Sequence, residues 1–298
     1  MTQTLPREVW TARAAAHTER IEGLIGPYLE ARRRGEKHPV IDFLFTYYAT
    51  RPTQLLRWHP GFGAVLDGVV AGDDYAGLQA YRPAGVGAVT VSEDVLQRHR
   101  DLLQVIDALL TATASRPARF GCFGLHEWAM VYRTDDTRHP VPLRLGPEGT
   151  DAVVESMPLR CTHYDAFRFF TPQARPLNAT TLSRDVQAEH EQPGCLHATM
   201  DLYRFCLRLG PLVAGELLAD AFALALDART LDMCASPYDL TSFGYPPVRV
   251  ETPDGRSEYL RRQTALAQRG TALRSRVLTA CRTLLEAAGP ARNPAGTP

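Results

Sequence analysis

Between residues 126 and 201 the chain sets an imidazole beside a carboxylate four times: His126-Glu127, His163-x-Asp165, Glu189-His190-Glu191 and His197-x-x-x-Asp201. Four of the nine histidines are used this way. Imidazole changes charge near neutrality and offers a lone pair to metals, so its repeated pairing with carboxylates points to proton transfer or to metal binding. His197 and Asp201 stand four apart on an expected helix, which puts both side chains on one face a turn apart, a spacing that can ligate a metal or hold a dyad. If Glu127, His163 and Asp165 converge on them, the result is a histidine/carboxylate site of the kind that holds iron, manganese or zinc. The plainer alternative is that His197 and Asp201 pair within a packed helix, and repeated Glu-x-x-His pairs are absent.

Glu127 precedes Trp128 and the apolar run Ala129-Met130-Val131. Desolvation there is expected to raise its pKa and suit it to acid/base work, unless Arg119 or Arg133 pairs with it. Cys161, His163 and Asp165 alternate with Thr162 and Tyr164, so on a strand they share one side. Neighbours on one strand are poorly arranged for a Cys/His nucleophile pair.

A third constellation runs from Arg32-Arg33-Arg34 through Lys37 and Asp42 to Phe43, Phe45, Tyr47 and Tyr48. Guanidiniums neutralise phosphates, aromatic faces stack on an extruded base, and an acid can assist bond cleavage, which are the parts of a base-flipping enzyme. The same residues also suit a helix end followed by core aromatics. There is no P-loop, no GxGxxG after a strand, no HExxH and no GxSxG, which argues against nucleotide hydrolysis and dinucleotide redox chemistry.

The elements that must position these groups read as mainly α. At 298 residues and 45% hydrophobic the chain can bury a sizeable core, and residues 1–288 are expected to form a single globular helical domain with a disordered tail at 289–298. Pro6 opens a helix carrying Trp10, Ala14, His17, Ile21, Leu24 and Tyr28 until Gly35. A short buried helix is expected at 40–49 and a loop region, with room for short strands, at 59–90. Ser92 caps a helix reaching Arg116. A helix through His126, one at 195–209, an all-round apolar one at 212–228 and a long basic one at 257–287 follow. Alternation over 139–145 and 159–169, with Gly146, Pro147 and Gly149 between, predicts a small antiparallel ribbon near the middle of the chain.

The net charge is zero, yet two zones are basic: seven arginines against two glutamates over 256–288, and six basic residues against two acids over 31–59. Such zones could form a polyanion-binding face, or be solvated helix surfaces. The six cysteines show no CxxC and suit reduced thiols. No apolar run approaches the roughly 20 residues that span a bilayer, and the N-terminus lacks a signal-peptide pattern, so a cytoplasmic protein is expected.

The run RRRGEKHPVIDFLFTYYATRPTQLLRWHPGFG, with HEWAMVYR, CTHYDAFRFFTPQARPLN, EQPGCLHATMDLYRF and LDMCASPYDL, resembles a bacterial family, well represented in actinobacteria, labelled 3-methyladenine DNA glycosylase. The likeness spans nearly the whole chain. It implies a DNA partner, no cofactor, and excision of an alkylated purine whose positive charge already weakens the glycosidic bond. Under that resemblance Glu127, then Asp42 and Asp165, would orient water or oppose the charge on the sugar, with His126 or His163 tuning the acid. Trp128, Tyr47, Tyr48 and Phe43 would stack on the base, and Arg32, Arg33, Arg34 and the last helix would hold phosphates. The competing expectation is a metal-dependent enzyme on a helical scaffold, using His197, Asp201, His163, Asp165 and Glu127 around iron, manganese or zinc. The oligomeric state is not legible.

Overall fold

The computed structural model describes residues 3–137 and 139–290; the expected tail lies, beyond 290, outside the described residues. In chain order the elements are β1 (Gln3–Leu5), α1 (Arg7–Arg33), α2 (Asp42–Thr46), α3 (Pro52–Leu56), β2 (Ala64–Asp67), β3 (Tyr81–Pro83), β4 (Ala88–Val91), α4 (Glu93–Arg98), α5 (Arg100–Ala114), α6 (Leu125–Ala129), α7 (Gly146–Ser156), α8 (Tyr164–Phe167), α9 (Gln187–His190), α10 (Leu196–Leu209), α11 (Gly215–Cys234) and α12 (Pro253–Ala288). The protein is mainly α with one small sheet, as its sequence patterns require.

α1 buries Trp10, His17, Ile21, Ile25, Tyr28 and Ala31, a stripe at threes and fours, and ends with Arg32 and Arg33 in its last turn, where cations oppose the negative helix end. Ser92 caps α4 by accepting from the Asp94 amide, but the expected single helix to Arg116 breaks at His99, whose φ of −95° and ψ of 3° leave helical geometry. α11 is buried almost all round, as its composition predicts. It packs along α10, and α12 lies across α5, α11 and α10. Gly270 inside α12 makes that last contact close: a Cβ there would stand 3.0 Å from Thr199 Oγ1 of α10. The glycine costs helix propensity, about 1 kcal/mol against alanine, and gains approach of the two helices.

The ribbon expected at 139–169 does not form. Residues 146–156 are α7, in which Thr150, Val153 and Val154 are buried at helical spacing. Pro147 in the first turn presets φ and gives up an amide that has no helical partner there. What sequence reasoning took for a hairpin turn is a helix start. Only isolated bridges remain in the flanks, Leu143 with Tyr238 and Leu159 with Asn178. The sheet instead belongs to the first 91 residues, with order β1-β2-β4-β3, β1 parallel to β2 and the other pairs antiparallel. It covers a satellite core of Leu5, Trp10, Trp58, Ala64, Leu66 and Tyr75. No helix among the described residues is long and apolar enough to cross a membrane, and all six cysteines are free.

His59 beside this sheet makes it acid-sensitive. Its Nδ1 lies 2.8 Å from the Tyr81 hydroxyl, and burial, helped by Arg57 and His17, pushes its pKa down to about 4. An unfolded histidine titrates near 6.5, so below that pH the unfolded chain takes up a proton that the native ring refuses. Stability should therefore fall between about pH 6.5 and 4, by up to ~3 kcal/mol from this group. Guanidinium unfolding of His59→Gln at pH 7 and 4.5 should show a smaller drop than the parent; an equal drop refutes the assignment.

Candidate metal centre

The interior where α6, α8, α9, α10 and α11 meet is polar. α10 presents His197, Asp201 and Arg204 at helical spacing. α11 adds Arg229 and Asp232, α6 adds His126 and Glu127, His163 caps α8 ahead of Asp165, and Glu191 follows α9. The histidines and acids of this set are between 0 and 7% exposed. The chain reaches α6 through Phe123 at φ 50° and Gly124 at φ 72°. Left-handed backbone at a phenylalanine costs of order 1 kcal/mol, and strain of this kind persists where the surroundings fix it, commonly at functional sites.

Two triads result. In the first, His126, His197 and Asp232 each offer one ligand atom, all within 4.8 Å of one another; in the second, His163, Glu191 and Asp201 do the same. His126 Nε2 is 2.7 Å from Asp232 Oδ1, and the His126 and His197 rings meet edge-on with centroids 4.6 Å apart. His163 Nε2 is 3.2 Å from both Asp201 Oδ2 and Glu191 Oε1, and its ring is 5.2 Å from that of His197. His197 therefore stands between the triads.

Guanidiniums answer the acids. Arg229 donates to Glu127 Oε1 at 2.7 Å and to Asp232 Oδ2 at 3.0 Å. Arg204 bridges Asp201 and Asp165, and Arg184 donates to Asp165 Oδ1 at 2.6 Å. These contacts correct the expectation for Glu127. Burial favours its neutral form, but Arg229, with His126 behind it, wins and holds the carboxyl below its ordinary range. Asp165 is likewise lowered: burial opposes, and Arg204 outweighs it. Glu127 and Asp165 are thus ionised anchors of guanidiniums rather than poised general acids.

The imidazoles divide. Burial opposes charge on His126, yet Asp232 raises its pKa well above the usual value. Burial also opposes charge on His163, which Glu191 and Asp201 raise. For His197, burial and the neighbouring His126 and His163 all act downward and hold its pKa well below the usual value. Its Nδ1 is buried without a hydrogen-bond partner, as is Nδ1 of His163.

A cavity of about 480 Å³ is lined by Phe43, Tyr47, Phe169 and Phe243 together with Asp42, Glu127, Asp165, His197 and Arg229. A second cavity of about 380 Å³ lies behind, with His126, His197, Cys122, Cys161, Cys195 and Gln263 among its walls. His197 borders both.

The fold thus gathers Glu127, Asp165 and His197 with Asp42, Phe43 and Tyr47 around one cavity, and sets His163 and Asp201 behind it. Other expected residues go elsewhere. Trp128 is fully buried, donates from Nε1 to the Ala235 carbonyl, and does not line either cavity. Tyr48 packs edge-on against Tyr203, 5.5 Å between centroids. Arg32, Arg33 and Arg34 are exposed at the end of α1; Arg32 donates to Tyr28 and Arg34 pairs with Glu36. On α12, Arg262, Arg269, Arg276 and Arg282 pair with Glu258, Asp227, Asp220 and Asp107, so much of that basic zone is answered by acids.

Asp232, Arg229 and Arg204 are functional candidates that no sequence motif marks, while Glu191 stands in the Glu189-His190-Glu191 pairing. One signal was present: Arg229 and Asp232 stand three apart, and so on one face, in a largely apolar helix that also carries Glu216, Asp220 and Asp227, and charges on a buried helix face must meet partners.

Comparison with protein-family models, with curated proteins and with solved structures finds no match to this chain.

Proposed function

We propose that this protein is a metal-dependent enzyme acting on a small organic molecule, with His126, His197 and Asp232 as ligands of a divalent ion. The observation that carries this reading is the convergence at His197: its ring is buried with Nδ1 unpartnered, and ligand atoms of His197, His126 and Asp232 lie within 4.8 Å of one another. Buried polar atoms are ordinarily satisfied, and an orphan amid ligand atoms calls for an ion or water. Two imidazoles and one carboxylate are the donor set of non-haem iron(II) sites, which places iron ahead of manganese and zinc.

A bound metal would supply a Lewis-acid or redox centre. The chain's own residues divide the other tasks. Phe43, Tyr47 and Phe169 offer ring faces to a planar substrate. Glu127, kept ionised by Arg229, accepts hydrogen bonds from the substrate's polar edge, and Arg229 orients Asp232 from behind, as outer partners of metal ligands commonly do. Metal analysis of protein purified without added metal tests the reading. Substantial iron, manganese or zinc is expected, reduced in His126→Ala; less than about a tenth of an equivalent in the parent overturns it.

One observation favours a second reading, a DNA glycosylase for alkylated purines: Asp42, Phe43, Tyr47, Glu127 and Asp165 border one cavity of a size for a flipped base. Incubation with methylated duplex DNA should then free 3-methyladenine or 7-methylguanine, with Glu127→Gln inactive. Release no greater than from a boiled control ends this reading.

A further inference from the structure

We propose that the second triad, His163, Glu191 and Asp201, is a second divalent-cation site, making with the first triad a two-metal centre. The inference rests on the metal reading above and deepens it. His163 Nε2 points between two carboxylate oxygens, Glu191 Oε1 and Asp201 Oδ2, each 3.2 Å away. The Asp201 contact is a hydrogen bond, so one N–H proton is shared between two carboxylates; the three ligand atoms lie within 4.8 Å of one another, and a cation between them would meet all three. The rest of the ring gives no reason for its pose: Nδ1 is buried, at a residue 1% exposed, and has no partner.

The surroundings are those of held ligands. Gln187 donates to Glu191 from the preceding turn, and Arg204 donates to Asp201, so both carboxylates are fixed by outer partners, as metal-binding carboxylates commonly are. The neighbouring triad is one ring away, since His197 lies 5.2 Å from His163 and 4.6 Å from His126 between ring centroids. Two cations about 3.5–4 Å apart can act together on one substrate, a device used for hydrolysis. The ligand class is a divalent ion that accepts mixed nitrogen and oxygen donors: iron, manganese or zinc.

The test uses the full chain, stripped with a chelator and re-loaded. Equilibrium dialysis against Zn2+ should give two equivalents for the parent, one for Glu191→Gln and one for His126→Ala. Mn2+ loading of the parent, followed by electron paramagnetic resonance, should give a spin-coupled spectrum, and this arm needs no variant to fold. In Glu191→Gln the spectrum should become that of isolated Mn2+. One equivalent in the parent with an uncoupled Mn2+ signal, lost in His126→Ala, overturns the second site and leaves the proposed function standing. No bound equivalent overturns both.

Discussion

Asp232→Ala should be the most damaging single substitution near the site, lowering stability by about 3–5 kcal/mol even without metal, the cost of removing one partner from a buried charge pair. Asp232 is fully buried and serves two cations: His126 at 2.7 Å and Arg229 at 3.0 Å. Truncation leaves His126 without its counter-charge and leaves Arg229, 1% exposed, with Glu127 alone. Asp232→Asn retains shape and one acceptor oxygen, so it should fall between. Guanidinium unfolding measures both. A loss under about 1 kcal/mol for Asp232→Ala would mean that the network is solvated in solution, contrary to its burial.

Metal should raise the melting temperature, and the rise should grow with pH. An ion at a thousand times its dissociation constant stabilises the native state by about 4 kcal/mol. The sign of the pH effect follows from His126. Its folded pKa is raised above the unfolded value, so in the metal-free protein its pairing with Asp232 contributes fully below about pH 6.5 and is lost as pH rises through the folded value. Metal binding runs the other way, because the ring must shed that proton to become a ligand. The gap between loaded and stripped protein should therefore be small at pH 5.5 and large at pH 8. Calorimetric scans with and without EDTA at the two values measure it. A gap that does not change with pH, or that narrows toward pH 8, would remove His126 from the ligand set.

The helices were readable where burial had one simple face. α1, α10, α11 and α12 each carry a periodic or continuous apolar pattern; α1, α10 and α12 form near their expected limits, whereas α11 runs past its expected end at 228 to Cys234 and so takes in Arg229 and Asp232. The sequence also marked the region of the site, since His126, Glu127, His163, Asp165, His197 and Asp201 all stand within it. The expected ribbon failed because short alternation over Leu143 and its neighbours has the same local statistics as loop, while Gly146-Pro147 fits a helix start as well as a turn.

By itself, then, the chain determined its helical class and which imidazoles and carboxylates are candidates, because periodicity and residue type are local properties. Only the tertiary structure decided the partners. Asp232 lies 106 residues from His126, and Arg229 lies 102 from Glu127, and no local pattern encodes a contact across such a gap. Pairing also reverses chemistry that burial alone would suggest: desolvation raises the pKa of a lone glutamate, but a guanidinium 2.7 Å away keeps Glu127 charged. Packing likewise took Trp128 into the core and left Phe43 and Tyr47 at the cavity, a choice set by which helix faces meet in the assembled fold.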